Sequence, residues 1–101
     1  MSISTNVSSD GKSVTLKVSG RFDFSVHNEF RKAYKDIDMQ AGEFNVDLSE
    51  TEYLDSSALG MLLLLKEYAE AGSSRVKIKN ANSEIREILN IASFDKLFVL
   101  E

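Results

Sequence analysis

The residues nearest in type to nucleophilic chemistry are the one histidine, His27, and the serine pair Ser56 and Ser57 beside Asp55. A Ser-His-Asp hydrolase built from Ser56, His27 and Asp55 lacks the Gly-x-Ser-x-Gly elbow, and an acid adjacent in sequence supplies no oriented base. His27 lies among polar neighbours at the start of a predicted helix and reads as a surface residue. With no cysteine and one histidine, only carboxylates remain as metal ligands, and they are strewn without a calcium-loop spacing. Phosphate-binding glycine motifs are absent as well: Gly60 and Gly72 fall inside and at the end of a predicted helix, with no Gly-Lys-Ser/Thr. The chain is expected not to be an enzyme and to need neither cofactor nor metal.

What stands out is Tyr53-Leu54-Asp55-Ser56-Ser57-Ala58-Leu59-Gly60, followed by apolar residues up to Leu65. Asp and Ser ahead of a helix act as caps for its free backbone N–H groups, which accounts for one of the three polar side chains. The same N–H groups and the positive end of the helix dipole favour a dianion, so a phosphoserine here is compatible with the helix. On a projection of about 100° per residue, Ala58, Met61, Leu62, Leu65, Tyr68 and Ala69 form the sheet-facing side, with Lys66, Glu67 and Glu70 opposite. Ser56, Gly60, Leu63 and Glu67 share one stripe, bordered by Leu59 and Leu64. Scattered exposed apolar residues are ordinary, but three leucines grouped beside a candidate modification site form a predicted protein-binding patch.

Around this motif the elements follow from periodicity. Ile3, Thr5 and Val7 alternate with polar residues, Ser9-Asp10-Gly11 turns the chain, and Val14, Leu16 and Val18 alternate again, predicting a β-hairpin. After Gly20-Arg21-Phe22-Asp23, apolar positions 26, 30, 33, 34 and 37 predict a helix with Ser25 as its N-cap. Strands are predicted at 44–48 and 76–78, a long helix from the Asp55 motif to Gly72, a helix through Ile85, Ile88, Leu89 and Ala92, and a last strand at 97–100. The order is β-β-α-β-α-β-α-β. It predicts a two-layer α/β domain, a mixed sheet with helices mainly on one face and a wetter opposite face.

The 101 residues are expected to form one domain, 1–101, because nothing marks a linker and there is no proline, repeat or low-complexity tract. A hydrophobic content of 43% and a charged content of 28% exclude a disordered class. The longest apolar run, 58–65, is far short of the roughly 20 residues that span a bilayer, and the first twenty residues lack the pattern of a signal peptide. Absence of cysteine fits an intracellular protein, so a cytoplasmic location without membrane insertion is expected. A net charge of −4 argues against nucleic-acid binding. Between Asp36 and Leu65 there are seven acids and no Lys or Arg, read either as a solvated surface or as steering toward a basic partner.

At Asp55-Ser56-Ser57-Ala58-Leu59-Gly60 the chain resembles the phosphorylation loop, Asp-Ser-Ser/Thr-Gly/Ala-Leu-Gly, of STAS domains of the bacterial anti-sigma factor antagonist family. Gly20-Arg21-Phe22-Asp23 is similar to that family's Gly-x-hydrophobic-Asp step, and Ser93-Phe94-Asp95-Lys96-Leu97-Phe98 resembles its approach to the last strand. The resemblance covers most of the chain and implies a partner switch. The unmodified protein binds an anti-sigma factor or related regulator, usually a GHKL-type serine kinase; phosphorylation ends that binding and a serine phosphatase restores it. By position, the resemblance implies Ser56 as phosphoacceptor, with Asp55 preceding it and Asp23 near it on the partner-facing end. With Ser57, Leu59, Gly60 and Leu63 these residues make up the expected partner-binding set. Ala58 departs from the glycine of many members, and many members continue into a fourth helix past the position matching Glu101, so contacts made by that helix are not expected from residues 1–101. STAS domains also occur in sulfate transporters and as small cytoplasmic subunits of a lipid-transport ATPase, which is the alternative function.

Overall fold

A computed structural model describes residues 2–35, 37 and 42–101. Five strands form the main sheet: β1 (Ile3–Val7), β2 (Ser13–Val18), β4 (Glu43–Asp47), β6 (Arg75–Lys79) and β7 (Val99–Leu100), in the spatial order β1-β2-β4-β6-β7. A tight hairpin makes β1 antiparallel to β2, whereas the other neighbours are parallel. Parallel neighbours need crossovers, and the helices α1 (His27–Lys35), α2 (Ser56–Ala71) and α3 (Ser83–Ile91) lie in those connections.

Alternation along the strands sorts the two sheet faces as the sequence predicts. Val14, Leu16 and Val18 of β2, Phe44 and Val46 of β4, and Val76 and Ile78 of β6 are buried. They share one core with Phe30 and Tyr34 of α1, Leu62 and Leu65 of α2, and Ile85 and Leu89 of α3. Of the intervening residues, Lys17 and Lys77 carry charge, Thr15 is polar, and Asn45 is a buried exception to the alternation. Glu43 pairs with Lys77 at 3.0 Å, Lys77 with Glu101 at 3.2 Å and Lys17 with Glu50 at 3.3 Å, giving the open face a ladder of self-neutralised ions. No helix among the described residues is long and apolar enough to cross a membrane.

Two strands lie outside the predicted order. β3 (Gly20–Phe22) and β5 (Thr51–Leu54) pair in parallel as a separate ladder, with Phe22 opposite Leu54. Gly20 makes the departure from β2 possible: its φ of +79° lies in the left-handed region that favours glycine, and its N–H donates to the Glu50 carbonyl at 2.9 Å. Thr51 anchors β5, because its buried hydroxyl donates to the Val18 carbonyl at 2.7 Å. Two further expectations are corrected. Ser25 sits within a short 3-10 turn, Phe24–Val26, and the cap is Asp23. The final strand holds only Val99 and Leu100, since Phe94–Lys96 is a second 3-10 turn that delays it. Of the seven central acids, Glu43 and Glu50 form ion pairs on the open sheet face, and Asp36 and Asp38 lie outside the described residues.

Candidate functional site

The β3–β5 ladder brings two copies of one local device to the same end of the molecule. Asp23 follows Phe22 and Asp55 follows Leu54, so the paired strand ends deliver both carboxylates side by side. Each aspartate is extended, with φ of −137° and −122°, and each caps a helical segment. Asp23 Oδ1 accepts from the Ser25 N–H at 3.0 Å and from the Ser25 hydroxyl. Asp55 Oδ1 accepts from the Ser57 N–H at 3.0 Å, the Ala58 N–H at 3.2 Å and the Ser57 hydroxyl at 2.6 Å. In both Asp-x-Ser turns the outer residues satisfy each other, and the middle side chain is left outside. Those middle residues are Phe24 and Ser56, both exposed.

This arrangement separates the two serines that the sequence places next to each other. Ser57 is half-buried and its hydroxyl is committed to the helix cap. Ser56 is exposed, and its hydroxyl makes no hydrogen bond among the described residues. A nucleophilic oxygen that must enter another protein's active site has to be free of its own fold, and only Ser56 of the pair meets that condition. Loss of the cap has a structural consequence: Asp55→Ala should destabilise the chain by about 0.5–2 kcal/mol, read from the midpoint of urea unfolding. A change below that range would mean that the α2 N-terminus is held by other groups.

Arg21 adds a cation to this end. Its Nε lies 3.2 Å from Asp23 Oδ2, and its guanidinium stacks 4.1 Å from the centre of the Tyr53 ring. The Ser25 hydroxyl, then the Ser25 N–H and Arg21, hold the Asp23 carboxyl below the usual carboxylate range. A depressed folded pKa stabilises above the unfolded value of about 3.9, and that contribution is lost as pH falls through the folded pKa.

From this end, α2 carries the predicted stripe along its outer side. Ala58, Met61, Leu62, Leu65 and Ala69 are buried as projected, whereas Leu63 and Leu64 are 39% and 56% exposed. Leu59 is more enclosed than Leu63 and packs partly against the core. Gly60 is exposed, and a Cβ added there would meet nothing within 4 Å. The structure thus brings Asp23, Asp55, Ser56 and Ser57 to one end and continues from them through Leu59, Gly60 and Leu63. Sequence reasoning missed Phe24, 65% exposed and stacked on His27 with ring centres 4.4 Å apart. The repeated Asp-x-Ser spacing at 23–25 and 55–57 was the available signal. Among the described residues no group of three or more His, Asp or Glu side chains is placed to hold a metal.

Comparison with known proteins identifies the family and the fold. The family described as Mlab, STAS domain matches residues 5–101. A STAS-domain containing protein of Pseudomonas aeruginosa is 43% identical over 98 residues, covering 97% of each chain. Among solved structures, the anti-sigma factor antagonist SpoIIAA of Bacillus is 13% identical. Its unphosphorylated form matches with a TM-score of 0.72, covering 98% of this chain and 86% of that one. Its phosphorylated form matches with a TM-score of 0.68, covering 98% and 90%. A sulfate transporter family protein from Wolinella succinogenes, 15% identical, matches with a TM-score of 0.78 and covers 94% and 80%. At these identities the structural matches establish a shared fold.

Proposed function

Because this chain belongs to the STAS domain family, we propose that it is an anti-sigma factor antagonist acting as a phosphorylation-controlled partner switch. The unmodified form binds an anti-sigma factor or a related GHKL-type serine kinase. The kinase moves the γ-phosphoryl of ATP onto Ser56 Oγ, with ADP leaving and the hydroxyl proton passing to a base of the kinase. The phosphorylated form is released, and a serine phosphatase hydrolyses the ester to restore binding. The observation that carries this reading is the contrast between an exposed, unbonded Ser56 hydroxyl and a Ser57 hydroxyl held by Asp55. Asp55 and Ser57 keep the acceptor presented, Asp23 shapes the neighbouring turn, and Leu59, Gly60 and Leu63 give the partner its apolar contact. Mapping phosphate by fragmentation mass spectrometry on the chain isolated from its own cells tests the assignment. Phosphate on Ser56 is expected; phosphate on Ser57, or continued modification of a Ser56→Ala chain, contradicts it.

Gly60 gives an independent check on the contact surface. Glycine inside a helix costs roughly 0.5–1 kcal/mol relative to alanine, and among the described residues no neighbouring element lies within 4 Å of a Cβ added there. A partner approaching closely between Ser56 and Leu63 would require the small size of Gly60. Gly60→Ala should therefore raise stability by about 0.5–1 kcal/mol while weakening partner binding. Higher stability with unchanged binding would remove Gly60 from the interface.

The likeness to a sulfate transporter family protein favours a second reading, a small STAS subunit of a membrane transporter. Under it the same α2 surface docks permanently and Ser56 is only an exposed helix-start residue. A Ser56→Ala chain then behaves as the unmodified protein under all conditions, and no phosphate is found on Ser56.

A further inference from the structure

A second surface lies between α1 and α2, toward the far end of α2 from Ser56. Arg31, Tyr34 and Lys35 stand at i, i+3 and i+4 on α1, facing Leu64, Glu67 and Tyr68 at the same spacing on α2, and together they line a cleft of about 560 Å³. Its floor is aromatic: the Tyr34 and Tyr68 rings are 5.2 Å apart. The Tyr68 hydroxyl donates to the carbonyls of Lys35 and Ile37 at 2.7 and 2.9 Å, which ties the end of α1 to α2 and gives the cleft a fixed wall. Leu64, 56% exposed, is the most exposed leucine of the molecule and forms the opposite lip.

Charge says what fits. On a chain of net charge −4, Lys17, Arg21, Lys66, Arg75, Lys77 and Lys79 have carboxylate partners within 4.0 Å. Arg31 and Lys35, like Lys12, Lys32, Arg86 and Lys96, have none among the described residues, and of these only Arg31 and Lys35 line the cleft. Lys35, in the last turn of α1, is favoured there by the helix dipole; Arg31, a turn earlier, gains nothing of the kind. Glu67 stands on the α2 wall, so the cation excess belongs to the α1 side. Tyr34 contributes a phenol that makes no hydrogen bond among the described residues, and burial raises its pKa, keeping it a neutral donor.

We propose that the α1–α2 cleft docks an acidic amphipathic helix of a partner protein, with apolar side chains between Leu64 and the tyrosine pair and carboxylates on Arg31 and Lys35. An occupant of this chemistry gives Arg31 and Lys35 carboxylate partners, covers Leu64 and offers the Tyr34 hydroxyl an acceptor, whereas a basic or uncharged helix desolvates the two cations without pairing them. The site is separate from Ser56, so one chain can hold this helix in either phosphorylation state.

The test uses the full chain, labelled with 15N, and two synthetic helical peptides. One presents a leucine face bordered by glutamates four residues apart, and the other carries lysine at each glutamate position. The acidic peptide is expected to shift the amide signals of Arg31, Tyr34, Leu64 and Tyr68, to bind about tenfold less tightly to an Arg31→Gln, Lys35→Gln double variant, and to weaken as salt rises. The lysine peptide is expected to leave these signals in place. Equal binding of both peptides, no shift by either, or shifts confined to the Ser56–Leu63 surface would overturn the proposal. Cleft signals that move with protein concentration alone would also overturn it, by identifying a second copy of the chain as occupant. Because Ser56→Ala leaves the cleft intact, the outcome is independent of the phosphorylation reading.

Discussion

A Ser56→Ala chain is expected to incorporate no phosphate and to remain bound to its partner under conditions that release the native protein. The hydroxyl it removes is exposed and unbonded, so the substitution should shift stability by no more than about 0.5 kcal/mol, the ordinary range for surface changes. Ser56→Asp should bind weakly, though less weakly than phosphoserine, because one carboxylate has a single charge where a phosphate has about −1.5 to −2. Ser57→Ala should behave in the opposite manner: phosphorylation continues at Ser56, while stability falls because Asp55 loses the Ser57 hydroxyl, a 2.6 Å hydrogen bond. Phosphate stoichiometry by intact-mass spectrometry and urea unfolding of the three variants check this pattern. Equal phosphate incorporation in Ser56→Ala and the native chain would refute it.

Leu63→Ala is the second large effect. Leu63 lies two turns beyond Ser56 on the outer side of α2 and is 39% exposed, whereas Leu62 and Leu65 are fully enclosed. Truncation of a central interface anchor commonly costs more than about 1 kcal/mol, and about 1.4 kcal/mol is a tenfold loss of affinity. Partner affinity should therefore fall about tenfold. Stability should change far less than the 2–5 kcal/mol typical of a buried leucine truncated to alanine; Leu62→Ala, with its side chain fully buried, is the matched control. Isothermal titration with the captured partner, together with thermal unfolding, reads both quantities. Native affinity in a normally stable Leu63→Ala chain would place the interface elsewhere.

Most of the layer arrangement was legible because it rests on long-range burial that leaves a periodic trace. Val14, Leu16 and Val18 alternate because one side of β2 meets the helices, and α2 has to bury Ala58, Met61, Leu62, Leu65 and Ala69 on one face. The β3–β5 ladder left no such trace. Three and four residues are too few for a period to emerge, and Thr51 reads as polar although its hydroxyl is spent on the Val18 carbonyl. Asp23 was hidden behind Ser25 for a related reason: either side chain can cap, and what decides is which residue is extended when the turn begins. That decision depends on where β3 ends, hence on its pairing with β5.

At the site, the motif made Ser56 and Ser57 visible together, and only the direction of the Ser57 hydroxyl separates them. Phe24 escaped attention because a phenylalanine after a strand reads as core; the Asp-x-Ser turn instead holds it outside, against His27. The α1–α2 cleft was equally hidden. Tyr34 and Tyr68 were assigned to core faces, correctly in part, but their meeting across two helices, with Arg31 at the same cleft, is a property of packing that spacing along one helix does not contain.

The measurement that tests the account most directly is the affinity of the partner captured by the unmodified chain for two forms of this chain, with serine or with phosphoserine at position 56, each checked by NMR for an unchanged fold. A phosphate beside Asp55 would set a second negative group at the proposed partner contact, and like-charge contact at an interface costs several kcal/mol. The account predicts that phosphoserine lowers affinity about 100-fold or more, roughly 3 kcal/mol, with amide shifts confined to the ends of β3 and β5 and the first turn of α2. Equal affinity of the two forms, or release accompanied by general loss of the folded spectrum, would contradict it.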